Sequence, residues 1–353
     1  LFYSLSMEPY IRCVILDNFS PMIVGSALSW ILTGSNKYLS IVFQNYENGN
    51  FKSMNNLRSR SNHCDSLFLT HCSPDFILAL FTSLRTATYS ISTLAFQDIK
   101  LNDASCSILL KSIQSNTILS GLINLSFVEM TSELPLYEFI VTILKYKAHS
   151  PLKQLIVENC GIDACQLLSQ IGSTSPNTAT KSTSGIQILS LRKNFARYVF
   201  TRDDIIPMSI LHLNIGDCEW SSESLTSFLI SVCRWKRVYP FALDLDHTHV
   251  ESWFDILAHL PLSGLLSVIT ELNMSYNEMN ADCFEQLLQF LETQSPVLSH
   301  SSKLMYLNLS GCFKDQIAES LQQLLRFVLM RELWGLSICE IAPHHNNSDL
   351  MNS

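Results

Sequence analysis

The chain has little charge and no long apolar run. Charged residues make up 15% of its 353 residues, against roughly 25% in an average soluble domain. Its 23 lysines and arginines are spread through a chain of net charge −8. Binding to the phosphates of nucleic acid needs clustered basic side chains. A membrane-spanning helix needs an uncharged apolar run of about 18 residues or more. The sequence contains no such run. We therefore expect neither a nucleic acid partner nor a transmembrane helix.

Motifs for disulfides, cofactors and catalysis are also missing. The eleven cysteines contain no CxxC pair, and an odd count in a long chain does not suit a disulfide framework. Several cysteines recur at one position of a repeat, so we predict reduced thiols that act as small buried side chains. The sequence contains no P-loop, GxGxxG, GxSxG or HExxH motif, so no cofactor and no catalytic residue are predicted.

A nine-residue pattern, L-x-x-L-x-L-x-x-(N or C), recurs along the whole chain. It is clearest at 186–194 and 304–312 and poorest at 38–46. Twelve copies can be aligned on their central apolar residue, about 29 residues apart, within the range of leucine-rich repeats. The predicted central residues are Cys13, Ile41, Leu67, Leu94, Leu125, Leu155, Leu189, Leu211, Leu243, Leu272, Leu307 and Leu336.

This pattern predicts an α/β leucine-rich repeat solenoid. The paired apolar residues of L-x-L face one side of a short strand, and apolar stripes such as 284–291 and 317–328 indicate helices. No repeat closes its own core, so neighbours must stack, with a parallel sheet on the concave side of a horseshoe and helices on the convex side. We predict one array over 1–353, interrupted by loops at 46–63, 172–185 and 294–303, and truncated at both ends.

The repeat resembles the ribonuclease-inhibitor-like class of leucine-rich repeats. That class has units of 28–29 residues and places Asn or Cys after the strand, as this chain does at Cys72, Cys160, Asn194, Asn277 and Cys312. Within it, the strands LHLNIG, LNMSYN and LNLSGC are most similar to actin-capping-protein regulators of the CARMIL type. The resemblance implies an intracellular protein-binding scaffold. It covers the repeat array only, because CARMIL proteins also have a membrane-binding domain and a basic disordered tail.

The concave face of the sheet is the predicted binding surface, because the x residues of each strand point there. In the first half these residues are apolar, and they form either a second binding patch or a seat for the loop 46–63: Val14, Val42, Phe68, Ala95 and Ile156. In the second half they are polar and acidic with one tyrosine, which predicts a partner with a basic segment: His212, Asn214, Asp244, Asp246, Glu271, Asn273, Tyr306 and Asn308.

The string DLDHTH at 244–249 supports a function of a different class. Asp244, Asp246, His247 and His249 offer the oxygen and nitrogen donors of a divalent metal site, which would make the chain a metal-dependent enzyme. Strand alternation, however, directs only Asp244 and Asp246 to the concave face and leaves the histidines in the turn. Such a site would need a further ligand, for which Glu271 on the next strand is the candidate.

The sequence therefore predicts a non-enzymatic protein-binding scaffold, with CARMIL-like regulation of actin filament assembly as the leading function. A ligand sensor and a ubiquitin-ligase substrate adaptor are alternatives, because their arrays share the repeat. We expect the protein to be cytoplasmic. Four N-x-S sequons lie on or beside strands, where glycans would obstruct the sheet face; they begin at Asn18, Asn124, Asn273 and Asn308.

Overall fold

The computed structural model divides into two compact units, residues 1–162 with 174–190 and residues 163–173 with 191–353. The residues that it describes are 12–20, 22–25, 39–47, 65–84, 91–115, 121–132, 135–147, 152–174, 185–234, 240–250, 252–260, 265, 268–279, 282–283, 286, 304–312 and 335–337. The loop predicted at 294–303, most of those at 46–63 and 172–185, and the apolar stripes of 284–291 and 317–328 lie outside the described residues.

In the first unit, short strands alternate with helices. These elements are β1 (Cys13–Asp17), β2 (Ser40–Tyr46), β3 (Ser66–Cys72), α1 (Pro74–Leu84), β4 (Thr93–Gln97), β5 (Lys100–Leu101), α2 (Asp103–Ser115), β6 (Asn124–Val128), β7 (Thr131–Ser132), α3 (Leu136–Lys147), β8 (Gln154–Glu158) and β9 (Ile188–Ser190). Strands β1, β2, β3, β4, β6, β8 and β9 pair in parallel in this order. The short β5 and β7 pair separately.

The core of the first unit contains a row of aromatic rings. Phe96 and Phe127 lie opposite each other on β4 and β6, and their rings stack with centroids 5.4 Å apart. Phe81 of α1 and Phe139 of α3 extend the row at 6.1 and 6.0 Å. Full burial of each such side chain contributes roughly 1.5–3 kcal/mol, so this row holds strands and helices of successive repeats together.

The second unit repeats the plan with shorter strands. Its elements are α4 (Ala164–Thr174, all but its last residue), β10 (Phe195–Ala196), β11 (His212–Asn214), β12 (Glu219–Trp220), α5 (Ser222–Cys233), β13 (Ala242–Asp244), α6 (Trp253–His259), β14 (Glu271–Asn273), β15 (Tyr306–Asn308) and β16 (Gly335–Ser337). Strands β11, β13, β14, β15 and β16 pair in parallel in this order. Strands β10 and β12 form a separate parallel pair.

The register of the strands confirms the predicted repeat. Ile41, Leu67, Leu94, Leu125, Leu155 and Leu189 are aligned in the first unit, and Leu243, Leu272, Leu307 and Leu336 in the second. All of these are buried except Leu336, which is half-buried. The chain is an α/β leucine-rich repeat solenoid. Within the described residues, no helix has the length and apolar character needed to cross a membrane.

Two of the twelve predicted central residues were wrong. Val14, not Cys13, pairs with Ile41, and Leu213, not Leu211, pairs with Leu243. Leu211 is 38% exposed whereas Leu213 is fully buried. Cys13 is one residue early and is exposed on the other face of β1. Leu211 is two residues early and precedes β11, which begins at His212.

The copy at 38–46, the poorest match to the pattern, forms a regular strand. Strand β2 has seven residues, and its Ile41, Phe43 and Tyr46 are buried. The ring of Tyr46 stacks on Phe76 of α1 at 4.3 Å. A large aromatic residue thus takes the turn position that Asn or Cys occupies in the clearest copies, which explains why the sequence pattern looked weak there.

Candidate functional site

Each repeat turns at the same point after its strand. The residue four positions after the central one has a positive φ in eleven repeats of the described chain, with values of 47° to 68°. A left-handed backbone costs most residues roughly 1–2 kcal/mol, and Gly, Asn and Asp tolerate it best. These turn residues lie at the carboxyl ends of the strands or just beyond them: Asn18, Asn45, His71, Asp98, Glu129, Asn159, Lys193, Asp217, His247, Tyr276 and Gly311.

From Tyr46 to Cys312, the residue after each left-handed turn residue is buried in the core. The thiols of Cys72, Cys160 and Cys312 donate hydrogen bonds to the carbonyl oxygens of Phe43, Phe127 and Met274 in the preceding repeat, at 3.7, 3.4 and 2.8 Å. These cysteines therefore link neighbouring turns as well as filling space. Burial raises the pKa of Cys72 to about 12, which keeps the thiol protonated and able to donate.

The same position holds asparagine in two repeats. The side-chain nitrogen of Asn277 donates to the carbonyl oxygens of Leu245 and Met274, at 2.8 and 2.9 Å. Its side-chain oxygen accepts from both the backbone and the hydroxyl of Thr248, at 2.8 and 2.6 Å. Buried backbone groups left open by a turn need such partners, so this residue type serves the turn rather than a binding function.

The sheet face of the second unit carries two rows of side chains. Four predicted binding residues form one row: Asn214, Asp244, Asn273 and Asn308. Each is half-buried, and each side-chain oxygen accepts a hydrogen bond from the backbone N–H two residues later, at 3.1 to 3.2 Å. Such side chains compete with strand pairing, and these strands end after three residues. This row therefore shapes the turns and offers little free surface.

The other row is more accessible. His212, Glu271 and Tyr306 are exposed, and Glu271 lies directly opposite Tyr306 on the neighbouring strand. A Cβ atom added at Gly335 would lie 2.6 Å from Cδ1 of Tyr306. The tyrosine ring thus rests against the bare backbone of the next strand, which leaves it 41% exposed but supported on one side.

Asp246 is not on the sheet face, contrary to the prediction. Strand β13 ends at Asp244, so Asp246 lies in the turn, where it is 5% exposed. Its Oδ2 atom accepts a hydrogen bond from Nη2 of Arg192 at 2.6 Å and lies 3.0 Å from Nδ1 of His247. Its Oδ1 atom has no hydrogen-bond partner in the described structure and faces Gly216, where an added Cβ would lie only 1.7 Å away.

Further ionisable groups surround this buried carboxylate. Nε2 of His249 lies 3.1 Å from Oδ1 of Asp217, and Asp217 lies 3.9 Å from Arg192. The ring of His247 stacks on Tyr276 with centroids 4.6 Å apart. We refer to Arg192, Asp217, Asp246, His247 and His249 as the turn cluster. Its one arginine lies between two carboxylates.

The predicted metal site is not formed. No three His, Cys, Asp or Glu side chains in the described part of the chain lie in positions that could hold a metal ion. The carboxylate of Asp246 contacts the side chains of Arg192 and His247. The ring of His249 contacts the carboxylate of Asp217. The four donors of the DLDHTH string thus lie close in sequence but do not converge on one point.

The carboxylate of Asp246 affects the acidity of Asp244. Burial, followed by the negative charge of Asp246, raises the pKa of Asp244 from its ordinary 3.8 to about 6. Asp244 also accepts a hydrogen bond from the side-chain nitrogen of Asn273 at 2.8 Å. The strip predicted to be acidic thus has one exposed carboxylate, Glu271, and one half-buried carboxylate of reduced acidity.

Arg192, Asp217 and Tyr276 were not among the residues predicted from the sequence. Asp217 and Tyr276 occupy the left-handed turn position, so counting four residues from each central leucine would have found them. Arg192 is 54 residues from its partner Asp246, and no local pattern connects the two.

No family model matches this chain, and no curated protein matches it. Among solved structures, an internalin from Listeria monocytogenes is similar, with 12% sequence identity and a TM-score of 0.46 over 93% of this chain and 87% of that chain. A likeness of this extent carries no argument about function. The class of the protein, a leucine-rich repeat solenoid, follows from its own strand register and repeated turns.

Proposed function

We propose that the chain is a non-enzymatic protein-binding scaffold and that the second unit binds a basic segment of a protein partner. The observation that carries this proposal is the exposed pair of Glu271 and Tyr306 on adjacent strands. Neither lysine nor arginine occupies the two face rows of the described strands β11 to β16. A basic segment therefore meets a carboxylate and an aromatic ring without repulsion, and aromatic residues are enriched in protein interfaces.

The proposed contact residues are those predicted on this face, with different roles. His212, Glu271 and Tyr306 would contact the partner directly. Asn214, Asp244, Asn273 and Asn308 would act through the turn geometry that they stabilise. Asp246 is buried, so it would contribute through its pairing with Arg192 rather than by contact.

Two substitutions on this face test the proposal. Glu271→Lys and Tyr306→Ala should each abolish capture of the proteins that cross-link to the wild-type chain, as identified by mass spectrometry. Glu223→Lys is the matched control, because Glu223 is also exposed but lies in α5. Unchanged capture by both face variants would refute the proposed site. Equal loss in all three variants would also refute it.

We further propose a cytoplasmic, CARMIL-like role in actin filament assembly. The resemblance of the repeat supports it. Six cysteines of the described chain are also free thiols, as expected in a reducing compartment: Cys13, Cys72, Cys165, Cys218, Cys233 and Cys312. The test is assembly of pyrene-labelled actin with capping protein, with and without the chain. An unchanged assembly rate would refute this role and favour a sensor or a substrate adaptor.

A further inference from the structure

The sheet face of the first unit differs chemically from that of the second. The residue after each central one is apolar or small in six neighbouring strands: Ile15, Val42, Phe68, Ala95, Ser126 and Ile156. Val14 had been predicted in this row, but Val14 aligns with Ile41 on the buried side and Ile15 takes its place, 59% exposed. We call these six residues the apolar row.

The apolar row is not flat. Ala95 and Ser126 are small and lie opposite each other on β4 and β6, between Phe68 on β3 and Ile156 on β8. With strands about 4.8 Å apart, the two large side chains are separated by three strand spacings, about 14 Å. The small residues between them leave a depression between the two large side chains.

The two flanks of the apolar row carry different charge. On the side of the carboxyl ends lie Asp98, Glu129 and Glu158. On the other side, the residues before the central positions of the same strands are uncharged: Thr93, Asn124 and Gln154. A bound segment with basic residues along one edge is therefore expected to place that edge toward the carboxyl ends of the strands.

We propose that the apolar row binds an amphipathic helix that lies across the strands, with one apolar stripe on the row and basic residues facing Glu129 and Glu158. The helical repeat of about 5.4 Å per turn nearly matches the strand spacing of about 4.8 Å, so one apolar side chain per turn meets each strand. Five strand spacings cover about 24 Å, which corresponds to about 16 residues of helix. A bulky side chain of the helix occupies the depression over Ala95 and Ser126.

This surface is separate from the polar face of the second unit. A basic probe also suits Glu271 and Tyr306, so its affinity is measured in parallel for the Glu271→Lys variant, in which it should equal that of wild type. The probe is a fluorescent peptide of about 16 residues, made of leucine and lysine with one central phenylalanine, and arranged with a single apolar stripe. A scrambled peptide of the same composition, without the stripe, is the control for non-specific attraction.

Binding is measured by fluorescence anisotropy with the full chain. We expect the striped peptide to bind at least about tenfold more tightly than the scrambled one. Ala95→Lys should weaken binding of the striped peptide about tenfold or more, because it adds bulk and positive charge in the depression. Ala79→Lys is the matched control, because Ala79 is a half-buried alanine in α1, away from the sheet face, and it should leave the affinity unchanged.

A second pair of variants covers the case that Ala95→Lys does not fold. Ser126→Lys should weaken binding in the same way, and Glu129→Gln with Glu158→Gln should weaken it severalfold and reduce its dependence on salt. Equal affinity for the striped and scrambled peptides would overturn the proposal. Equal effects of a lysine on the sheet face and of the lysine in α1 would overturn it too. Absence of binding would also overturn it, the result expected if another segment of the chain already covers the row.

Discussion

The guanidinium of Arg192 lies 2.6 Å from Oδ2 of Asp246, a carboxylate that belongs to a turn 54 residues further along the chain. Asp246 is almost completely buried, and its other oxygen has no hydrogen-bond partner among the described residues. An uncompensated buried charge is strongly unfavourable. The ion pair therefore makes the turn at 246–247 depend on a residue from an earlier repeat.

Removal of the arginine should destabilise the second unit. We expect Arg192→Met to lower the free energy of unfolding by about 2–3 kcal/mol, because Asp246 would remain buried without its partner. Arg197→Met is the matched control: Arg197 pairs with Glu219 at 3.2 Å, but both side chains are about two-thirds exposed, so the loss should be below about 1 kcal/mol. Urea unfolding measures both, and equal losses would contradict this account of the pair.

Asp244→Asn should stabilise the protein at neutral pH. The pKa of Asp244 is raised from 3.8 to about 6 in the folded state, so the folded state binds the proton more tightly than the unfolded chain does. The contribution of Asp244 to the free energy of unfolding is therefore greatest below pH 4, and it is lost as the pH rises to about 6. Asparagine keeps the side-chain oxygen that accepts from Asp246 and, as in three neighbouring repeats, carries no charge.

The expected gain of the variant is about 1 kcal/mol at pH 7, and none at about pH 3. Urea unfolding of wild type and variant across this pH range measures it. Glu271→Gln removes an exposed carboxylate of the same face and should shift stability little at either pH. A gain for Asp244→Asn that is the same at both pH values would show that the charge of Asp244 is not its cause.

Gly216→Ala should destabilise the turn cluster. The new Cβ atom would lie 1.7 Å from Oδ1 and 2.8 Å from Cγ of Asp246, so the carboxylate would have to move away from Arg192. We expect a loss of about 2–4 kcal/mol, measured as a lower midpoint of thermal or urea unfolding. A loss below about 0.5 kcal/mol would mean that the carboxylate finds another position at little cost.

The cysteines at the turn position should resist thiol reagents in the native protein. Burial raises the pKa of Cys72 and Cys218 to about 12 and that of Cys160 and Cys312 to about 11, and the thiolate is the reactive form. With a maleimide at pH 8, mass spectrometry should find Cys13, which is exposed, labelled far faster than these four. All five should react in urea. Rapid native labelling of Cys218 would contradict the described packing.

Lys193→Asn should stabilise the protein by relieving backbone strain. Lys193 is exposed and has a φ of 59°, a conformation that asparagine adopts at lower cost. We expect a gain of about 0.5–1 kcal/mol in the free energy of unfolding. Lys193→Ala removes the same charge without relieving the strain, so it should give no gain. Equal gains in both variants would assign the effect to charge.

The periodic part of the fold could be predicted from the sequence. Ten of the twelve predicted central residues align in the structure, because every repeat must bury that side chain against its neighbours. The error at Leu211 arose because Leu211 and Leu213 both fit an alternating pattern. The stretch 210–218, ILHLNIGDC, matches the full nine-residue pattern when Leu213 is central. The nine-residue pattern therefore distinguishes Leu213 from Leu211, whereas the L-x-L alternation does not.

The candidate site was less predictable. Alternation correctly brought His212, Glu271 and Tyr306 to one face, but it assumed that strand β13 continued beyond Asp244. The strand ends there because the Asp244 side chain accepts from the backbone of Asp246, which places Asp246 in the turn. The pairing of Arg192 with Asp246 depends on how repeats stack, and a single repeat contains no signal for it.

The left-handed turn residue has a consequence for how this molecule tolerates change. Because the backbone itself sets the direction of the chain at this position, side chains as different as those of His71, Glu129, Lys193 and Tyr276 occupy it. Their identity is decoupled from the packing of the core, whereas the next residue is buried in every described repeat from Tyr46 to Cys312. Evolution or a combinatorial library can therefore diversify this position without redesigning the scaffold, except in the turn cluster and at Gly311, where an added Cβ would lie 2.5 Å from Cδ1 of Tyr276.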